Sequence, residues 1–473
     1  MRALLLLLIL LGLPALAAET VNDVTGLNPI RVERVLAPTE LQQIVAAVKN
    51  HPGPISIGGG RFSMGGQTAT EGALQLDMRD FDQVLAFSAE RREIRVQTGI
   101  TWREILEYVD RYDLSPQIMQ SYANFTVGGS LSVNVHGRYV GEGALIGSVR
   151  SIRLVLADGS LVDASPQHNS ELFHGAIGGY GGLGVIVEAT LGLAENSRIA
   201  RESQVMPLSQ YRAWFDREVR GHSDLVLHNG ILYPDRFDKV RAVSYRRTDA
   251  ALTETARLTP ADRSYHLQKA GIRLTSASRT GRMLREAALD PLLFRGTQVQ
   301  WRNHEASLDV RELEPIAGPD FSFVLQEYFV PPAQLERFVG ELARLTGQHQ
   351  ANLINVSIRH AKADPGSLLA WAPQEVFALV LYYRQGSSVA ERERAAAWTR
   401  DLIDAALACG GRYYLPYQIH ASREQFLAAY PRAPEFFALK QRVDPTYKFR
   451  NRLWDTYLPP GSGWPLAMPH RSL

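Results

Sequence analysis

The residues of this chain that could do chemistry announce themselves first as glycine clusters. Ile57-Gly58-Gly59-Gly60-Arg61-Phe62-Ser63 follows a strand-like run. Consecutive glycines let a backbone take positive φ and turn successive N–H groups toward one point, a geometry that suits an anion. A second cluster runs Thr126-Val127-Gly128-Gly129-Ser130-Leu131-Ser132-Val133-Asn134-Val135-His136-Gly137 and offers close backbone approach with small hydroxyls. The third is Gly178-Gly179-Tyr180-Gly181-Gly182-Leu183-Gly184-Val185-Ile186. Any one of these reads equally well as tight turns; three in one region favour a long, phosphate-bearing ligand. Gly179 to Gly184 also satisfies GxGxxG, a dinucleotide signature only where it leaves a strand and enters a helix. Val185 to Leu191 reads as a strand. A Rossmann site is therefore rejected.

Elements must hold these loops in place. Ile94-Arg95-Val96 and Ile152 to Leu156 are strand-like, Ala157-Asp158-Gly159-Ser160 is a hairpin turn, and Leu161-Val162-Asp163 returns. Thr39 to Lys49 has helical spacing, with Thr39 as its N-cap and Glu40 in the first turn. The fold class is α+β: a glycine-rich α+β unit over 29–197, an antiparallel-sheet cap covered by helices over 198–410, and a closing segment over 411–460. In the cap, Phe321 to Leu325 and Val376 to Tyr383 read as strands, and Pro332 to Leu345 and Val389 to Ala408 as amphipathic helices. Asn355, Ser357 and Arg359 alternate on one strand, where Arg359 either holds a carboxylate or faces water. The Arg-rich stretch from Arg257 to Arg295 reads as solvated helical surface, with a patch for an anionic partner as the alternative.

Composition closes several doors. The 473 residues, 45% hydrophobic and 21% charged, suffice for two cored domains and argue against disorder. Lys plus Arg total 51 against 49 acidic residues, so no cationic excess exists to hold a nucleic acid. The single cysteine, Cys409, can form neither an internal disulfide nor a thiolate cage, and no metal is expected. Met1-Arg2, the apolar run Ala3 to Leu13 and Pro14-Ala15-Leu16-Ala17-Ala18 resemble a signal peptide over 1–18, implying a periplasmic or secreted protein with no stable membrane insertion.

Taken together, Gly58 to Ser63 with Gly66-Gln67, Thr126 to Ser132, and Asn169-Ser170-Glu171-Leu172-Phe173 leading into Gly184-Val185-Ile186 resemble the PCMH-type FAD domain of the vanillyl-alcohol oxidase and p-cresol methylhydroxylase flavoproteins. Tyr414-Leu415-Pro416-Tyr417 and Lys440 to Pro445 resemble the closing segment of cytokinin dehydrogenases and sugar-alcohol or lactone oxidases. The resemblance implies FAD held between two subdomains under a cap. It implies cofactor contacts from Gly58, Gly59, Gly60, Arg61, Phe62, Ser63, Gln67, Thr126, Val127, Gly128, Gly129, Ser132, Val135, His136, Gly184, Val185 and Ile186.

Departures from that family shape the rest. Many relatives attach flavin through a histidine where this chain has Phe62, so noncovalent FAD is expected, and Cys409 reads as a buried structural thiol. Ser121 replaces the base of cytokinin dehydrogenases, which disfavours cytokinin. Decaprenylphosphoryl-ribose oxidases share the pattern around Val135-His136-Gly137, which makes His136 a candidate beside the flavin, but have a lysine where Tyr417 stands. Flavin oxidation of an alcohol needs a proton acceptor, and histidine suits neutral pH. His136 is the first choice, or else it only hydrogen-bonds the flavin or the backbone. Tyr417 orients substrate by hydrogen bonding, with aromatic packing as the alternative; Gln418 pairs with a substrate hydroxyl or a flavin edge, or stands at the surface. Gln326 and Tyr328 resemble pocket positions on the cap strand, with core packing as the equal alternative. The expected function is oxidation of a small polar, sugar-derived alcohol, with electrons passed to oxygen or another redox partner. The competing readings are a reductase of an activated double bond and a silent flavin-binding or electron-carrying subunit.

Overall fold

A computed structural model describes residues 18–234, 236–312 and 320–459. Residues 1–17 of the expected signal peptide, including the apolar run, lie outside these residues.

The N-terminal half builds three sheets, one of them a two-stranded pair of Glu19–Val21 and Ile30–Val32. Strands Arg34–Leu36, Leu74–Asp77 and Ile55–Gly58 form a parallel sheet with Leu74–Asp77 in the centre. Helix Leu41–Asn50 covers it, burying Ile44 and Val48 against Ile55, Leu74 and Leu76. Each such side chain contributes about 1.5–3 kcal/mol on burial. The expected cap shifts by one residue: Glu40, not Thr39, occupies the N-cap position. The reason is Gln43, whose side-chain oxygen accepts from the N–H groups of both Thr39 (2.8 Å) and Glu40 (3.2 Å).

The largest of the three is antiparallel, in the order Leu161–Ala164, Val149–Val155, Val185–Glu195, Glu93–Gln97, Val84–Ser88, with Leu114–Pro116 pairing the far end of Val185–Glu195. The expected hairpin is present, with Val155 opposite Leu161 and Gly159 at φ +83° in the turn. Val185 to Leu191 is strand, as its β-branched run requires. The chain changes sheets directly after it: Val185–Glu195 belongs to this sheet and Arg198–Pro207 to the next.

The cap is an eight-stranded antiparallel sheet in the order Gln298–Trp301, Arg198–Pro207, Lys239–Arg247, Leu225–Leu232, Asn352–Ala361, Val376–Gly386, Phe321–Val330, Arg412–Tyr413. Helices Leu335–Gln348 and Val389–Ala408 lie on one face, burying Phe338, Leu342, Trp398 and Leu402. The other face looks toward the glycine clusters. The closing segment serves both halves. Arg412–Tyr413 adds the last cap strand, and farther on Phe449 makes a parallel bridge to Ile55 in the small sheet.

Candidate functional site

A cavity of about 1220 Å³ runs from the glycine clusters to the inner face of the cap. At one end the chain leaves strand Ile55–Gly58 into the first glycine loop. The N–H groups of Gly59, Gly60, Arg61, Phe62 and Ser63 donate to no described residue, and all five residues are half-buried on the cavity wall. A run of free N–H groups around a turn is an anion-binding concavity. Arg61, at φ +60°, sets the turn and bonds Asp77 through Nη2 at 3.0 Å, while its buried Nε has no partner. Gly59 is needed for close approach, because a Cβ there would collide with Thr126 Oγ1.

The second cluster works differently. Its N–H groups are already engaged: Gly128 donates to Thr98 O at 2.7 Å and Gly129 to Thr126 Oγ1 at 3.2 Å, which caps the short helix Val127–Val133. Gly128, Gly129, Ser132, Val135 and His136 therefore wall the cavity as a close backbone surface rather than as a donor array. From the third cluster Gly184 and Ile186 reach the cavity. A Cβ on Gly184 would lie 2.7 Å from Val155 O, so glycine there permits strand packing.

Not every expected contact lies on the wall. Val127 is fully buried in the main core, and Val185 packs with Ile55, Leu74 and Val187 in the small-sheet core; neither lines the cavity. Both sit in regular elements whose alternate neighbours face the ligand space. Gln67 borders the cavity and also clamps the closing segment: its amide donates to Leu415 O (2.8 Å) and Tyr417 O (2.7 Å), and its oxygen accepts from Gly65 N–H (2.8 Å). Gln418 does not reach the cavity; its amide donates to Met64 O and ties the same two segments.

Phe62 borders the cavity, stacked on Phe125 with centroids 4.3 Å apart. Cys409 is 5% exposed in the core at the end of helix Val389–Ala408 and is not on the wall. Ser121 is on the wall, and its buried Oγ has no partner.

At the cap end four polar side chains converge. His136 Nε2 meets Glu327 Oε1 at 2.6 Å, and Tyr417 OH donates to Glu327 Oε2 at 3.1 Å. His136 Nδ1 lies 3.3 Å from Gly137 O, and the ring sits against Trp371, centroids 4.8 Å apart. Burial, reinforced by the Glu327 charge, pushes the Tyr417 phenol well above the ordinary tyrosine range, so it is a donor here. Arg359 is within electrostatic reach of Glu327; burial pulls its guanidinium below the ordinary value and Glu327 opposes that. Its buried Nε has no partner. Ser357 and Asn355, one and two alternate positions before it, line the same wall.

Glu327 escaped the sequence reading, which chose its neighbours. Gln326 donates to Tyr383 OH (2.9 Å) and Thr399 Oγ1 (2.6 Å), and Tyr328 OH donates to Gln326 Oε1 (2.6 Å), all beneath the cap helices. Alternation on one face was right, but that face packs on the helices, so Gln326 and Tyr328 do not line the cavity while Leu325 and Glu327 do. The usable signal was a lone acid in an otherwise uncharged strand, Phe321 to Val330.

Free loop donors, an unpartnered Arg61 Nε, glycines at points of close approach and a long cavity fit an extended dinucleotide with a diphosphate at its middle. Residues 31–165 match the FAD binding domain family. The chain thus carries a PCMH-type FAD-binding domain and takes FAD as its cofactor. It is similar to the mitochondrial L-galactono-1,4-lactone dehydrogenase of Brassica oleracea, 27% identical over 200 residues, 41% of this chain and 33% of that protein. Cytokinin dehydrogenase 9 of Oryza sativa subsp. japonica is 35% identical over 111 residues, 23% of this chain and 21% of its own. L-gulonolactone oxidase of Mus musculus is 25% identical over 166 residues, 35% of this chain and 38% of its own. The matches span two-fifths or less of these relatives' lengths.

Proposed function

We propose that the chain is an FAD-dependent oxidoreductase that oxidises a small polar alcohol, a sugar-derived one being the first case, with noncovalent flavin and with oxygen or another redox partner as electron acceptor. The observation that carries this reading is the Glu327 carboxylate on the cavity wall, held at one oxygen by His136 and at the other by Tyr417, beside an arginine with a free donor. Bound FAD supplies the hydride acceptor. The other duties fall to side chains. Glu327 takes the hydroxyl proton, using carboxylate lone pairs left over from its two hydrogen bonds. His136 and Tyr417 position that carboxylate. Arg359 Nε holds a substrate oxygen, and Asn355 and Ser357 offer polar contacts beside it. Support for a sugar-derived alcohol comes from the lactone-acting names of the relatives and this hydroxyl-matching wall; support against cytokinin is Ser121.

We also infer export, on the basic head, apolar run and small-residue site at the N-terminus.

The test is anaerobic mixing of the purified yellow protein with sugar alcohols and aldonolactones. Bleaching of the flavin by one of them is expected, as is release of the colour into the supernatant on acid precipitation. Flavin that is reduced only by an external donor and reoxidised by an activated alkene would overturn the proposal in favour of a reductase. Flavin left untouched by either would make it a silent carrier.

A further inference from the structure

The outer rim of the cavity is built from helices His266–Ala277 and Asp290–Leu293 and the π-turn Arg285–Leu289, with helix Arg279–Leu284 joining them beside the cavity wall. Seven of the thirteen exposed large hydrophobic side chains among the described residues fall between Leu267 and Leu293. Leu267 is 86% exposed, Leu292 69% and Leu293 64%. Single exposed leucines are ordinary, but a cluster rimmed by charge marks an interaction site. These three also border the cavity, so it opens through them. The helix His266–Ala277 is two-sided: Gln268, Gly271, Ile272 and Thr275 face the cavity, Leu267 stands exposed at its mouth, and Leu274 stands outward.

Charge is concentrated in the same place. Residues 263–295 hold seven Lys or Arg and two Asp or Glu, a net of +5, so the rest of a +2 chain carries −3. Arg285 is committed to Asp290 and to Ile354 O. The side chains of Lys269, Arg273, Arg279 and Arg295 form no ion pair, hydrogen bond or ring contact with a described residue.

We propose that this rim docks the protein on an anionic lipid bilayer, the leucines at the acyl–headgroup boundary and Lys269, Arg273, Arg279 and Arg295 among the phosphates, with the cavity mouth held against the lipid. Short amphipathic helices of this composition lie in the membrane interface rather than cross it, and no described helix is long and apolar enough to span a bilayer. A second copy of the chain is a poorer occupant, because two-fold pairing sets +5 against +5. A nucleic acid would leave the leucines without a use. The inference rests on the rim alone and not on the flavin chemistry.

Flotation of the flavin-loaded protein with vesicles tests it. Vesicles of phosphatidylglycerol and phosphatidylcholine should bind the protein at low salt, and pure phosphatidylcholine or about 0.5 M salt should weaken binding at least about tenfold. Leu267→Ser/Leu292→Ser/Leu293→Ser should abolish flotation while thermal unfolding stays unchanged. Arg273→Glu/Arg279→Glu is the independent second variant and should do the same. Flotation of both variants equal to that of the parent, no binding to anionic vesicles, or a dimer in light scattering that the leucine variant converts to monomer overturns the proposal.

Discussion

Two buried charged clusters in this protein invite comparison because one is closed and the other is not. Lys440 and Asp444 are wholly buried in helix Ala433–Val443 and its exit. The three ammonium donors meet Asp444 Oδ2 (2.8 Å), Gly182 O (2.7 Å) and Phe449 O (2.9 Å). Asp444 also accepts from Lys448 N–H and Phe449 N–H. A lysine has three donors, so this cluster has nothing left to offer. Its partners are the third glycine cluster and the segment that bridges to Ile55, and it locks the closing segment to the FAD-binding half. The cluster of His136, Glu327, Tyr417 and Arg359 is as deeply set, yet Glu327 keeps spare lone pairs toward the cavity and Arg359 Nε has no acceptor. Complete satisfaction marks a fastening, and residual capacity in a cavity marks a place for a ligand.

That difference can be broken from the open side first. Glu327→Gln keeps size and hydrogen bonding but removes the proton acceptor. Stopped-flow flavin reduction by a sugar alcohol should slow by about 10²–10⁴-fold, with flavin content and urea midpoint close to the parent. A rate within tenfold of the parent would remove Glu327 from the chemistry and return His136 to first place.

From the closed side the effect falls on stability. Lys440→Met strands the Asp444 charge in the core, at a cost of about 3–5 kcal/mol. Urea unfolding should show that loss, while the fraction that remains folded reduces its flavin at the parent rate. An unchanged midpoint would mean that the ion pair fastens nothing.

The sequence carried the two regions with unequal clarity, for physical reasons. Glycine clusters are legible because few other residues meet positive φ or close backbone approach, so Gly58 to Ser63 pointed at an anion before any fold was known. Val389 to Ala408 and Val376 to Tyr383 were legible because a long period and a continuous apolar run each permit one element. Strand parity was hard to read: Phe321 to Val330 is apolar on both faces, so the lone acid Glu327 is the one local mark of which face looks at the cavity. The partners of Glu327 are 191 residues before it and 90 after it, and only the packed sheet brings them together. The role of the third cluster was half legible; its strand exit excluded a helix-borne phosphate site, but its service as an acceptor for Lys440 required the tail to be placed.

A second buried histidine sharpens the comparison through pH. His228 lies in the cap strand Leu225–Leu232 with Tyr211 OH at 2.9 Å from Nε2 and Ser244 Oγ at 2.9 Å from Nδ1. Both partners are hydroxyls, which can serve a neutral ring, whereas His136 faces a carboxylate. Burial, with a smaller contribution from nearby His360, brings His228 down to about 3. Its folded form therefore stays neutral while the unfolded chain takes up a proton below about pH 6.5. The unfolded state binds the extra proton across that window, so stability falls as pH drops from about 6.5 toward about 3, by at most about 1.4 kcal/mol per pH unit. Urea midpoints measured at half-unit steps through this range should show the slope. His228→Phe should lower the plateau, because two hydroxyls lose a partner, but flatten the slope in the acid window. A variant with a lower plateau and an undiminished slope would assign the acid sensitivity to other groups and leave His228 a packing residue.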